Sequence, residues 1–142
     1  MRGGQVDPTP PVVLIVDDHE DSVATYAFAF LAMGFHPITA ASGEDAFARA
    51  CEFQPDAVVA DVGLPGISGL DLVRRLRNDG RTQNTGIVVL TGYAGLSLRE
   101  QADAAGCDRF IVKPCPPGAL GIEVREVLIK RRRQRAAEEH AS

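Results

Sequence analysis

A parallel β-sheet covered by helices on both faces is the fold class this sequence predicts, and two observations carry that expectation. Five short β-rich runs alternate with helical patterns along the chain, which makes βαβ units and therefore a parallel sheet. Three of the runs, VVLIV at 12–16, AVVA at 57–60 and IVVL at 87–90, are apolar at nearly every position, as strands buried on both faces must be.

Taken in order, the strands are expected at Val12 to Val16, His36 to Ala40, Ala57 to Ala60, Ile87 to Leu90 and Phe110 to Val112. The second is the least apolar and is placed at an edge. Helices are expected near Asp21 to Met33, Gly43 to Phe53, Gly69 to Asn78, Leu98 to Ala105 and Gly118 to Arg135. Ser42 with Asp45, Ser68 with Asp71 and Ser97 with Glu100 each fit S-x-x-acid, in which hydroxyl and carboxylate both satisfy free N–H groups of a first turn. Gly34 and Gly106 follow the first and fourth helical patterns, where a left-handed terminal residue costs glycine least. Residues 1–11 are read as a flexible arm, 12–135 as one domain and 136–142 as a flexible tail.

Composition narrows the function classes. A chain of 142 residues buries about two thirds of its unfolded surface around a single core. Its 45% apolar and 24% charged residues are those of an ordinary globular protein. A net charge of -4 leaves no electrostatic footprint for nucleic acid. Cys51, Cys107 and Cys115 lack C-x-x-C spacing and are read as free thiols in a cytoplasmic, reducing environment. The first residues have no signal-peptide pattern, and the most apolar stretch, Val23 to Phe35, is too short to span a membrane and is read as a buried helix. The basic run Lys130 to Arg133 with Arg135 is read as solvated cations favoured near the C-terminus of the last helix. His19, His36 and His140 share no metal spacing and are read as surface or edge histidines.

In an open parallel sheet, ligands bind beyond the carboxyl ends of the strands, where strand order reverses. Asp17 and Asp18 follow the first run, Asp61 the third, Thr91 the fourth and Lys113 the fifth, so four strands deliver polar groups to the same end. Carboxylates brought together stay ionised most readily beside a hard divalent cation and an ammonium group. Mg2+ and Lys113 fit these roles, and Mg2+ keeps room in its shell for phosphoryl oxygens. A carboxylate can then act as nucleophile.

L-I-V-D-D at 14–18, D-V-G-L-P-G-I-S-G at 61–69, the run ending in Thr91 and F-I-V-K-P at 110–114 together resemble the receiver family of two-component response regulators, over roughly Val12 to Leu128. The resemblance implies a flavodoxin-like (βα)5 doubly wound sheet with strand order 2-1-3-4-5. It implies that Asp61 is the phosphoacceptor, and that Asp18, Asp61 and the carbonyl of Gly63 bind Mg2+, with Asp17 acting mostly through water. Lys113 and Thr91 would contact the phosphoryl oxygens, Pro65 and Gly69 would shape the loop after Asp61, and the peptide before Pro114 would be cis, aiming Lys113 inward. Thr91 and Phe110 would form the conformational switch. Ser68 stands where the family usually has Asp or Asn, a mild change because all three cap helices well. Gly63 leaves an acyl phosphate unscreened while Tyr93 offers bulk, so these two positions pull the phosphoryl lifetime in opposite directions.

The function implied is a signalling domain that catalyses only its own phosphorylation and dephosphorylation. Its partners would be a sensor histidine kinase or histidine phosphotransfer protein and a downstream protein, with neither nucleic acid nor membrane. A dimer formed on phosphorylation is left open. Two rivals are a pseudo-receiver binding module, against which the full set of polar residues argues, and a Mg2+-dependent aspartyl-phosphate phosphatase, which usually carries D-x-D after its first strand.

Overall fold

The computed structural model describes residues 9–64, 66–92 and 95–141, with only the backbone for Ala141. Strands and helices alternate as β1 (Val12–Val16), α1 (Glu20–Ala32), β2 (His36–Ala40), α2 (Gly43–Phe53), β3 (Ala57–Asp61), α3 (Gly69–Arg77), β4 (Gly86–Thr91), α4 (Leu96–Ala105), β5 (Arg109–Val112) and α5 (Pro117–Ala141). All pairings are parallel, in the order β2-β1-β3-β4-β5. This is the order that the resemblance implies, with the weak second run at an edge.

Side chains of a strand point alternately to its two faces, so the three apolar strands fill two cores at once. Leu14, Val16, Val58, Ala60, Ile87 and Val89 pack with Ala46 and Ala50 of α2 and Leu72, Val73 and Leu76 of α3. Val13, Ile15, Ala57, Val59, Val88 and Leu90 pack with Phe30 of α1 and Leu120, Val124 and Val127 of α5. Continuous apolarity in the strands is thus required by helices on both sides.

The helices depart from expectation in four places. In α1, read as buried, only Phe30 is fully so, while Phe28 is 77% and Leu31 63% exposed. Each of these forgoes much of the about 1.5–3 kcal/mol that full burial would supply. Ser42 and Ser68 do cap α2 and α3, accepting from the Asp45 N–H at 3.2 Å and the Asp71 N–H at 3.1 Å. The two carboxylates turn to Arg49 at 3.3 Å and Arg74 at 2.8 Å, one turn along their own helices, where a full charge is the stronger partner. α4 begins two residues early on Gly95, so Ser97 lies inside the helix and accepts from the Gln101 amide at 3.2 Å instead of capping. α5 runs on past the expected end at Arg135 to Ala141: Ala136 to Glu139 are good helix formers with no Gly or Pro to stop them. Of the N-terminal arm, residues 1–8 lie outside the described residues, and the Pro11 carbonyl accepts from the His36 N–H at 2.8 Å.

A charged knot closes the end of the sheet where the strands begin. Asp108, just before β5, accepts from the β4 amide of Ile87 at 2.8 Å, from Arg77 of α3 at 3.1 Å and, bidentate, from Arg131 of α5 with a shortest contact of 2.9 Å. Arg77 also donates to the carbonyls of Gly106, Gln83 and Thr85. The network ties α3, the ends of two strands and α5 at one point.

Candidate functional site

The polar groups gather at the opposite end, where the strands finish. Asp17 follows β1 directly, and its N–H donates to the Ala40 carbonyl of β2 at 3.2 Å, which continues the sheet one residue further. Asp61 ends β3 and Thr91 ends β4; all three residues are buried, at 4%, 8% and 4% exposure. Lys113 follows β5, its N–H donating to the Thr91 carbonyl at 2.7 Å, and the Lys113–Pro114 peptide is cis, as the resemblance implies.

The Lys113 ammonium lies 3.2 Å from Asp61 Oδ2 and 3.6 Å from Asp17 Oδ2, between the two carboxylates. Burial works against its charge, but the hydrogen bond and charge of Asp61 and the charge of Asp17 outweigh it and raise its pKa. Asp17 is the mirror case: burial opposes ionisation, yet bonds from the His19 backbone and ring and the Lys113 charge hold its carboxyl below the ordinary range. The other oxygen of Asp61, Oδ1, accepts from the Gly63 N–H at 3.0 Å.

The loop after Asp61 has little room to move. A Cβ on Gly69 would collide with the carbonyl oxygen of Asp61 and with Val62, so glycine is required for α3 to start this close to β3. Glu44 of α2 holds the same loop by accepting from the Ile67 N–H at 3.2 Å, a tie that no spacing in the sequence reveals. Among the described residues, a Cβ on Gly63 would meet nothing nearer than Asp61 Oδ1 at 3.9 Å, so they leave this side of the carboxylate open. Pro65 and Tyr93 lie outside the described residues.

His19 is the site residue that sequence reasoning missed. Its side chain is 71% exposed, yet Nδ1 sits 3.0 Å from Asp17 Oδ1 and 3.2 Å from Asp18 Oδ1. The only signal available was its place, directly after an acidic pair at the end of a strand. One ligand atom each from Asp17, Asp18, His19 and Asp61 lie within 4.8 Å of one another. Donors on one shell of about 2.1–2.4 Å radius are spread no more widely than this, so the residues fit a single divalent cation.

Phe110 of β5 pairs in register with Val89, is half-buried against the α2–α3 core, and carries the Arg99 guanidinium of α4 at 5.9 Å from its ring centre. Arg99 of α4 thus already covers one side of the ring.

The family model of the response regulator receiver domain matches residues 13–125. The chain belongs to that family. Receiver domains are signalling domains of two-component systems; they bind Mg2+ through acidic residues and interact with histidine kinases or phosphotransfer proteins. This receiver is 34% identical to the phosphate regulon transcriptional regulatory protein PhoB of Rhizobium meliloti, over 83% of the chain and 52% of PhoB. It is 30% identical to the polar-differentiation response regulator DivK of Brucella anthropi, over 74% of the chain and 85% of DivK. It thus spans about half the length of PhoB and most of DivK. The solved structure of the chemotaxis response regulator CheY4 of Vibrio cholerae superimposes with a TM-score of 0.79 at 28% identity, covering 84% of this receiver and 99% of CheY4. Among the described residues, no helix is long and apolar enough to cross a membrane.

Proposed function

We propose that this receiver accepts a phosphoryl group on Asp61 from a sensor histidine kinase or histidine phosphotransfer protein in the cytoplasm, and that the phosphorylated form presents a changed surface to a protein target. The observation that carries the reading is the placement of Asp61: buried, with the Lys113 ammonium on one oxygen and the Gly63 N–H on the other, beside the Asp17–Asp18 pair. An Asp61 oxygen attacks phosphorus, the new O–P bond forms as the donor N–P bond breaks, and the leaving imidazole takes its proton from solvent. Asp18, Asp61 and the Gly63 carbonyl would hold Mg2+, with Asp17 reaching it through water; when bound, the cation supplies charge neutralisation for the transferred group. Lys113 and Thr91 then pair with the phosphoryl oxygens. Hydrolysis by water at the open Gly63 side returns Asp61 to its starting state.

The test is intact mass after incubation with acetyl phosphate and Mg2+. A single labile phosphoryl adduct should appear, vanish with chelator, and be missing from Asp61→Asn. An adduct of full strength in that variant, mapped to Asp17 or Asp18, overturns the assignment, and unchanged mass in the wild type favours a binding module without chemistry.

A further inference from the structure

We infer that Glu44 is a positioning residue for the cation site: from α2 it fixes the loop between β3 and α3 that carries the Gly63 carbonyl, and thereby raises the affinity of this receiver for Mg2+. The inference rests on reading that carbonyl as a Mg2+ ligand, and adds the residue that holds the loop from outside the pocket.

The loop is closed at its base by its own strand and helix. The Gly69 N–H donates to the Val62 carbonyl at 3.1 Å, and the Gly63 N–H to Asp61 Oδ1 at 3.0 Å. Neither bond reaches Gly66 and Ile67, and it is α2 that meets the loop there. Glu44 Oε2 accepts from the Ile67 N–H at 3.2 Å, and Gly66, at φ +76°, lies so close to Glu44 that a Cβ would strike both carboxylate oxygens. Gly43, the preceding residue of α2, is as tight in the other direction: a Cβ there would strike the Ile67 side chain and its carbonyl oxygen. One glycine in each segment thus lets the two approach, and the Glu44 carboxylate is the polar tie across the contact.

A backbone ligand is most useful when it is ordered before the ion arrives, because ordering it afterwards is subtracted from the binding free energy. Groups that orient metal ligands in this way act on affinity without touching the ion. Without the tie, the far end of the loop keeps only the partly buried Ile67 side chain against the α2–α3 core. One hydrogen bond close to solvent is a modest restraint, so its loss should weaken Mg2+ binding by about three- to tenfold.

The experiment measures calorimetric Mg2+ affinity of the full chain in wild type, Glu44→Ala, Glu44→Gln and Asp45→Asn, and the hydrogen exchange of the Ile67 amide without cation. Glu44→Ala should lose about three- to tenfold in affinity and exchange faster at Ile67. Glu44→Gln retains an acceptor oxygen at the same reach, and Asp45→Asn removes a neighbouring charge without touching the loop; both should stay within about twofold of wild type. Unchanged affinity or unchanged Ile67 exchange in Glu44→Ala overturns the role of Glu44 and leaves the cation site standing. Equal losses in the Ala and Gln variants overturn it too, since charge and not position would then be at work. Failure of wild type to bind Mg2+ overturns the cation site itself and this inference with it.

Discussion

Asp17 illustrates how a single residue is set by its neighbours. Its folded-state pKa lies below the ordinary value of 3.8, against the effect of burial, because the His19 bonds and the Lys113 charge favour the carboxylate. A group depressed in this way contributes stability that is fully present above its unfolded value and is lost as pH falls through its folded value. Wild type and Asp17→Asn should therefore differ in thermal midpoint at neutral pH and converge as pH is lowered from about 4 towards 2. A constant gap across that window, measured by calorimetry, would show that Asp17 does not gain from its neighbours. Asp17, Asp18, Asp61, Thr91 and Lys113 were legible in the sequence because each stands directly after or at the end of a β-rich run, and topology brings those ends together. His19 was not legible, since its role depends on a ring rotamer and a backbone turn. Glu44 was hidden for a related reason: it reaches across 23 residues to the Ile67 N–H, and no periodicity marks such a contact.

Among the elements, the strands were read almost residue by residue, because continuous apolar runs bounded by polar residues leave few choices. Helix ends were less secure. Ser42 and Ser68 cap as expected, but Ser97 is bypassed when Gly95 starts α4, and α5 continues through an alanine and glutamate stretch that carried no stop signal. Composition also misled at α1, where apolar character signalled burial but the sheet has room beneath that helix chiefly for the face carrying Phe30. The Asp108 knot was invisible in sequence, as its three tied segments lie far apart along the chain. Its removal should matter more than that of any surface pair. Asp108→Ala takes the counter-charge from two largely buried guanidinium groups, of which Arg77 keeps only its carbonyl partners, and leaves the Ile87 N–H without its acceptor, so it should cost about 3–5 kcal/mol in urea unfolding. Asp45→Ala, which breaks an exposed pair with Arg49, should cost less than about 1 kcal/mol. Similar losses in the two variants would deny the knot its structural weight.

For the molecule as a whole, the question is how an event at the strand ends reaches a surface. A phosphoryl group at Asp61 offers new acceptor oxygens, which should draw Thr91 inward and open space behind β4 for the Phe110 ring. The ring begins half-buried beneath Arg99, so the expected change is completion of burial together with release of that guanidinium. Because a ligand shifts an equilibrium only through its differential interaction with two states, Thr91→Ala should still bind the phosphoryl mimic beryllofluoride yet respond less at Phe110 and in α5. NMR shifts that stay within the pocket in wild type would exclude this route and favour a protein that simply passes its phosphoryl group onward. The parallel sheet makes the route short, since β4 and β5 are neighbours and Thr91 pairs in register with Val112.

The Asp108 knot also fixes how α5 is held. The helix starts beside the site and is gripped at Arg131, about 21 Å down its axis at 1.5 Å per residue. Between those points the buried Leu120, Val124 and Val127 seat it on the sheet, and Arg125 donates to the Met33 carbonyl at 2.8 Å. Roughly 15 Å of helix, carrying the basic residues Arg132, Arg133 and Arg135, extends beyond the grip to Ala141. A displacement at the strand ends would therefore reach those cations only by carrying the whole packed face of the helix with it, as one rigid strut anchored at both ends of the sheet.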